Sequence, residues 1–309
     1  MRQIAISLIL ISAFTLQAQH IESGSKWYNG TLIYDATLLE GGKVLLNATA
    51  EGQDIAFTLV PVTGEPNTYS IAPGPSDAMF VEEEESTVKH VQQDAMDLLC
   101  FYQADGRLYK LMDKTEEWDN QTLNVENWMR MIRGKYIMAD GTRVTIDRDK
   151  AIVGGTYVPV EANTFNGHVT GILDIDGDGT PLNGSMEVAF VTDGLIFYPV
   201  GFDDMGFPHR LLVDRIALTE CDPDNCYDYI SNTLLHGCEL YYYNRPTLRL
   251  MRNSILARHG YVFQSKDLKK YFGKEPWYKP ADSNDNIQPS FLEQLNIELI
   301  KFREANIDE

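Results

Sequence analysis

Asp174, Asp176 and Asp178 alternate with Ile175 and Gly177 ahead of Gly179, a spacing in which successive carboxylates can wrap a hard cation while a glycine bends the chain. Calcium is the ion such a loop would take. The pattern begins like the calcium loop of a helix-loop-helix site and then departs from it. Counted from Asp174, the ninth residue is Leu182 and the twelfth Ser185, where a bidentate glutamate would close the shell; Glu187 comes two residues late. An acidic β-turn between two strands is the competing reading of the same residues.

The second set with chemistry in it is basic. Arg245, Arg249 and Arg252 fall three or four apart, as neighbours on one helical face do, and Arg258 and His259 follow at the end of that helix. A guanidinium can hold a carboxylate through two hydrogen bonds, which suits peptide stems or acidic sugars. Arg249, Arg252, Arg258 and His259 are therefore candidate ligand-binding residues. Tyr278 joins them because an aromatic face can stack on a sugar ring. The structural alternative is that Arg258 and His259 satisfy the last carbonyls of their helix, that Lys266, Lys269, Lys270 and Lys274 form a solvated face, and that Trp277 belongs to a small core.

No constellation points to catalysis. The six histidines are scattered, and the chain has no Gly-x-Ser-x-Gly nucleophile turn, His-Glu-x-x-His metal pair, phosphate-cradling loop or dinucleotide fingerprint. A non-enzyme is expected, with an envelope carbohydrate- or peptide-acting hydrolase as the alternative, since a carboxylate pair need not be close in sequence. Cys221, Cys226 and Cys238 cluster, and Cys100 stands apart. A disulfide within the cluster is the first reading, with the remaining thiol paired to Cys100 or buried. A zinc site using His236 is the second.

The elements that must position these residues change character along the chain. From Trp27 to about Asp119, short alternating runs such as TLIYDATL, DIAFTLVPV and RLYKLM are separated by turn signals including Gly41-Gly42 and Asp105-Gly106. Asn120 to Asn127 is polar enough to link two units. A second β-rich stretch begins at Trp128, with Asp140-Gly141 marking a hairpin. Trp27 followed by Gly30, and Trp128 followed by Gly134, hint at a duplicated β unit. After Arg245 the chain turns helical: Pro246 suits a first turn, Gly260 a left-handed stop, Ser265 a cap, and Ser290 with Glu293 a capping box before the apolar positions Phe291, Leu295, Leu299 and Phe302.

The stretch Leu256-Ala257-Arg258-His259-Gly260 resembles the signature of the YARHG family, small domains of presumed extracellular bacterial proteins. Leu256 stands where that family has tyrosine. Leu248, Arg249, Arg252, Asn253, Tyr261, Phe263, Leu268, Tyr271, Phe272, Trp277, Tyr278 and Pro280 extend the likeness, which reaches Leu292, Asn296, Ile300 and Glu304. The resemblance implies a helical domain associated with the cell envelope and, from the company such domains keep, peptidoglycan as the ligand.

Charge and the amino terminus agree with that setting. The net charge is −19, but residues from Glu239 onward carry eleven Lys or Arg against ten Asp or Glu, leaving −20 on residues 1–238. A basic segment on an acidic body disfavours nucleic acid and leaves room for a local anionic ligand. Arg2 followed by the apolar run from Ile4 to Leu16 reads as a signal peptide cut after Ala18, with no later run long enough to span a membrane. The expectation is a periplasmic or extracellular bacterial protein of α+β multidomain class. Residues 1–18 are the signal; 24–119 and 127–220 are antiparallel sandwich or barrel units; 239–309 is a small all-α domain. Its expected work is binding peptidoglycan or another envelope glycan, with calcium as a candidate ion. A protein partner or a purely structural role is the third reading.

Overall fold

The structure is a computed structural model that describes residues 20–50, 53–73, 86–117, 120–147, 150–165, 168–173, 186–191, 194–202, 208–210, 216–220 and 227–307. The signal-like residues, the acidic run from Glu82 to Glu85, Asp174, Asp176, Asp178, Cys221 and Cys226 lie outside that set.

Eight antiparallel strands form the first unit: β1 (Lys26–Tyr28), β2 (Ile33–Leu38), β3 (Val44–Ala50), β4 (Gln53–Pro61), β5 (Thr68–Pro73), β6 (Thr87–Gln93), β7 (Met96–Tyr102) and β8 (Leu108–Thr115). Each pairs with the next, and β1 pairs with β8 through Trp27 opposite Lys114, so the sheet closes as an up-and-down barrel. The sandwich-or-barrel alternative is thus resolved as a barrel. Its interior is filled by Trp27, Tyr34, Leu46, Phe57, Leu59, Val88, Leu99, Phe101 and Met112. An eight-stranded barrel has an interior just wide enough for side chains to fill in this way.

β7 shows why the barrel is not alone. Leu99 and Phe101 point inward, while Leu98 and Cys100, on the opposite face, are as deeply buried. That outer face, with Leu108 and Leu111 of β8, joins an apolar cluster containing Leu248, Met251, Ile255, Leu295, Leu299 and Ile300 of the carboxy-terminal helices. Cys100 carries a free thiol, its pKa pushed up to about 12 by burial. No disulfide is present among the described residues. Cys100 is thus not bridged to the cluster, while the expected bridge within Cys221, Cys226 and Cys238 concerns side chains that are not described.

The segment read as a linker is a helix. α1 spans Asn120–Ile132, so Trp128 lies in a helix, and the second β-rich stretch starts six residues later, at Gly134. Its last turn explains the difference: Met131 and Ile132 enter the main apolar cluster, Asn127 is buried with its amide donating to Tyr28 Oη at 3.1 Å, and the Tyr136 hydroxyl donates to the Ile132 carbonyl at 2.8 Å. Polar composition concealed a helix whose stability comes from tertiary contact.

Strands β9 (Gly134–Ile137), β10 (Arg143–Asp147), β11 (Lys150–Val153), β12 (Thr156–Phe165), β13 (His168–Leu173), β14 (Met186–Val191), β15 (Gly194–Phe202), β16 (Pro208–Arg210) and β17 (Ile216–Glu220) make the second unit. The hairpin at Asp140-Gly141 forms as expected, with Met138 N–H donating to the Thr142 carbonyl and Gly141 at φ +89°. β14 pairs with β15, and β17 with both β15 and β9, so the pairings run round a ring of eight strands with β16 attached to β15. Both units are thus antiparallel, the first with eight strands in sequence order and the second with nine, β17 standing between β9 and β15. The tryptophan correspondence does not carry over, since Trp27 sits in a strand and Trp128 in a helix.

The carboxy-terminal unit holds α2 (Arg245–Arg258), α3 (Lys266–Phe272) and α4 (Phe291–Ala305), preceded by 3-10 turns at Asp228–Ser231 and Gly237–Tyr242. α2 is buried on two sides. Leu248, Met251 and Ile255 face the main cluster, whereas Leu250 and Ala257 meet Phe263, Leu268 and Phe272 in a separate small core ringed by Tyr261, Tyr271, Trp277 and Tyr278. No helix among the described residues is long and apolar enough to cross a membrane.

Candidate functional site

The basic helices are placed by caps that the sequence supplies. Asn244 Oδ1 accepts the Thr247 N–H at 2.9 Å to open α2, Pro246 occupies its first turn, and His259 is its C-cap. Gly260 then takes φ +79° and lies against the next loop: a Cβ there would stand 2.9 Å from the Lys279 carbonyl oxygen, and Ala281 N–H donates to the Gly260 carbonyl at 2.8 Å. α4 opens with the expected capping box, Ser290 Oγ accepting from Glu293 N–H and Glu293 Oε2 accepting from Ser290 N–H. Ser265 does precede α3, but its hydroxyl binds Asp267 and accepts from Arg249 instead of capping an amide.

Each residue singled out for ligand contact has an internal partner. Arg249 donates to Asp267 Oδ2 at 2.5 Å and to Ser265 Oγ at 3.1 Å, and these contacts hold the Asp267 carboxyl well below the usual carboxylate range. Arg252 grips Glu304 of α4 in a fork, Nε to Oε2 at 3.0 Å and Nη2 to Oε1 at 3.4 Å. The Arg258 guanidinium lies 4.7 Å from the ring centroid of Trp277. His259 Nε2 is 2.7 Å from Glu293 Oε2, tying the end of α2 to the start of α4. Burial resists ionisation of Glu293, yet the Ser290 amide and His259 outweigh it and leave its pKa lowered. The Tyr278 hydroxyl donates to the Tyr261 carbonyl at 2.8 Å while its ring packs on Phe263 and Phe272. Arg249, Arg252 and Arg258 thus reach α3, α4 and the loop after α3 respectively, and do not converge on one point. The Arg-His-Gly run reads, in this structure, as a set of joints between α2 and its neighbours.

The lysines behave differently. Lys266, Lys269, Lys270, Lys274 and Lys279 are exposed and make no ion pair among the described residues. Three of them share a face of α3, and the others follow in the loop that carries the half-buried rings of Trp277 and Tyr278. The arrangement is a helix-and-loop surface with positive charge outside and half-buried aromatic rings beside it.

Two features escaped sequence reasoning. His236 is not free to ligate zinc, because its Nδ1 faces Glu239 Oε1 at 3.0 Å and its Nε2 faces Asp113 Oδ1 of β8 at 2.7 Å. The i, i+3 spacing to Glu239 was visible, whereas Asp113 is 123 residues away and gave no signal. Asn296, wholly buried in α4, donates to the carbonyls of Ile230 at 2.7 Å and Thr233 at 2.8 Å and accepts from Leu235 N–H at 2.9 Å. The described residues contain no group of three or more His, Cys, Asp or Glu that could hold a metal ion.

Comparison with curated proteins and with solved structures yields no match for this chain. Residues 225–305 match the family model described as the YARHG domain, so the carboxy-terminal unit, from ahead of the 3-10 turn at Asp228–Ser231 to the last helix, is a YARHG domain.

Proposed function

We propose that this chain is an exported, non-catalytic binding protein of the bacterial cell envelope, and that its YARHG domain engages an anionic envelope polymer, peptidoglycan first, through the lysine face of α3 and the loop after it. One observation carries the reading: in a chain of net charge −19, five exposed lysines on one small unit have no acidic partner among the described residues. A solvated helical face of ordinary kind interleaves both signs, and here the one acid on α3, Asp267, is held by Arg249. The arginines contribute by fixing the frame; the lysines are the charges left to meet a ligand. Peptide-stem carboxylates supply the complementary charge.

The test is co-sedimentation of the full chain with insoluble peptidoglycan. Wild type is compared with a variant carrying Lys266→Gln, Lys269→Gln, Lys270→Gln and Lys274→Gln. Exposed charge contacts contribute about 0.2–1 kcal/mol each, so four of them should weaken retention on the order of tenfold or more. Equal retention of both proteins would overturn the assignment of the surface.

A further inference from the structure

We propose that Asp113, His236 and Glu239 form a proton-dependent clasp that holds the YARHG domain on the first barrel, fixing its orientation and making the two a single structural body. His236 stands at the start of the Gly237–Tyr242 turn and is enclosed where separate segments meet. Its Nε2 reaches Asp113 of β8 at 2.7 Å, its Nδ1 reaches Glu239 at 3.0 Å, and its ring meets the edge of Tyr28 of β1 at 5.0 Å. Tyr28 is in turn held by Asn127 of α1. Tyr243, whose hydroxyl lies 2.9 Å from that of Tyr229, is the other titratable group facing Glu239. The backbone is equally close: a side chain at Gly237 would come within 3.2 Å of the Tyr109 carbonyl oxygen.

A histidine between two carboxylates donates from both nitrogens, which only the imidazolium can do. Burial alone would lower its pKa; the hydrogen bonds and charges of Asp113 and Glu239 outweigh that and raise it to about 9. The sign follows directly. A pKa raised on folding gives a contribution that is complete below the unfolded value of about 6.5 and is lost as pH rises through about 9. Loss of the proton leaves an imidazole that can donate to only one carboxylate; Glu239 keeps the His236 backbone N–H at 3.2 Å, and the partly exposed Asp113 loses its charge-assisted bond. The clasp is therefore closed at neutral pH and released by alkali. Because Asp113 belongs to the barrel and Glu239 to the YARHG domain, its release loosens their contact at this edge, while the apolar cluster that β7 and β8 share with α2 and α4 still joins them.

The full chain tests this without any ligand. Hydrogen exchange followed by mass spectrometry, corrected for the intrinsic rate at each pH, is measured at pH 7 and pH 10 on wild type, His236→Gln and Asp113→Asn. Wild type should lose at least tenfold protection in residues 227–243 and at the Asp113 end of β8 on going to pH 10, while the interior of the barrel keeps its protection. Both variants should show the unprotected pattern already at pH 7 and little further change at pH 10. Wild-type protection that is the same at both pH values, or variants that retain the full pH response, would overturn the proposal. Should His236→Gln fail to fold, the wild-type titration and Asp113→Asn decide it.

Discussion

Replacing Asn296 by Ala removes three hydrogen bonds from a wholly buried side chain: those to the Ile230 and Thr233 carbonyls and from the Leu235 amide. The side chain is small, so cavity formation is secondary. The cost lies in leaving two carbonyls and one N–H buried without partners, each worth about 1–3 kcal/mol, and allowing for partial relaxation the total should be ~3–5 kcal/mol. At about 2–4 °C per kcal/mol for a domain of this size, the melting midpoint should fall on the order of 10 °C. Thermal unfolding followed by far-ultraviolet circular dichroism at pH 7 measures it. Asn296→Asp sharpens the test, because an aspartate keeps an acceptor for Leu235 but turns an oxygen toward two carbonyls. It should be less stable than Asn296→Ala at pH 7 and recover in part on acidification as the carboxyl protonates. A midpoint within about 2 °C of wild type for Asn296→Ala, or Asn296→Asp as stable as wild type at pH 7, would refute the view that this residue fastens α4 to the segment before the 3-10 turn at Gly237.

Gly260→Ala should destabilise the YARHG domain by about 2 kcal/mol or more, since a left-handed backbone already costs ~1–2 kcal/mol for a residue with a Cβ and the new atom meets the Lys279 carbonyl; denaturant titration of the helical signal reads this out. Glu293 gives an acid-side effect of opposite sign to that of His236. Its folded pKa is lowered, so its contribution is present above about 4.5, the unfolded value, and is lost as pH falls through the folded one. Melting midpoints from pH 7 to pH 3 should therefore fall less steeply in Glu293→Gln than in wild type, with the variant less stable at pH 7.

What could be read from the sequence follows the range of the interactions. Period-2 alternation identified β2, β4 and β8, and Asp140-Gly141 the hairpin, because pleat and turn chemistry are local. The Ser290–Glu293 box and the Gly260 stop were legible for the same reason, and both are present. α1 was not, because the features that stabilise it, Asn127 on Tyr28 and Met131 and Ile132 in the main cluster, come from distant strands. The candidate site divides in the same way. Arg249, Arg252, Arg258, His259 and Tyr278 were recognised as a set, but their partners Asp267, Glu304, Trp277, Glu293 and Tyr261 lie up to 52 residues away, and only folding shows that the charges are matched internally. From sequence the lysines are a solvated face; what sequence could not show is that no acid among the described residues comes to meet them.

The most direct test of the binding account is lysine footprinting of the full chain, free and bound to insoluble peptidoglycan, with acetylation read by mass spectrometry. Protection of Lys266, Lys269, Lys270, Lys274 and Lys279, with the exposed barrel lysines Lys43 and Lys89 unchanged, is the predicted result. Uniform reactivity across all seven, or protection confined to Lys43 and Lys89, would contradict the assignment of binding to the YARHG domain.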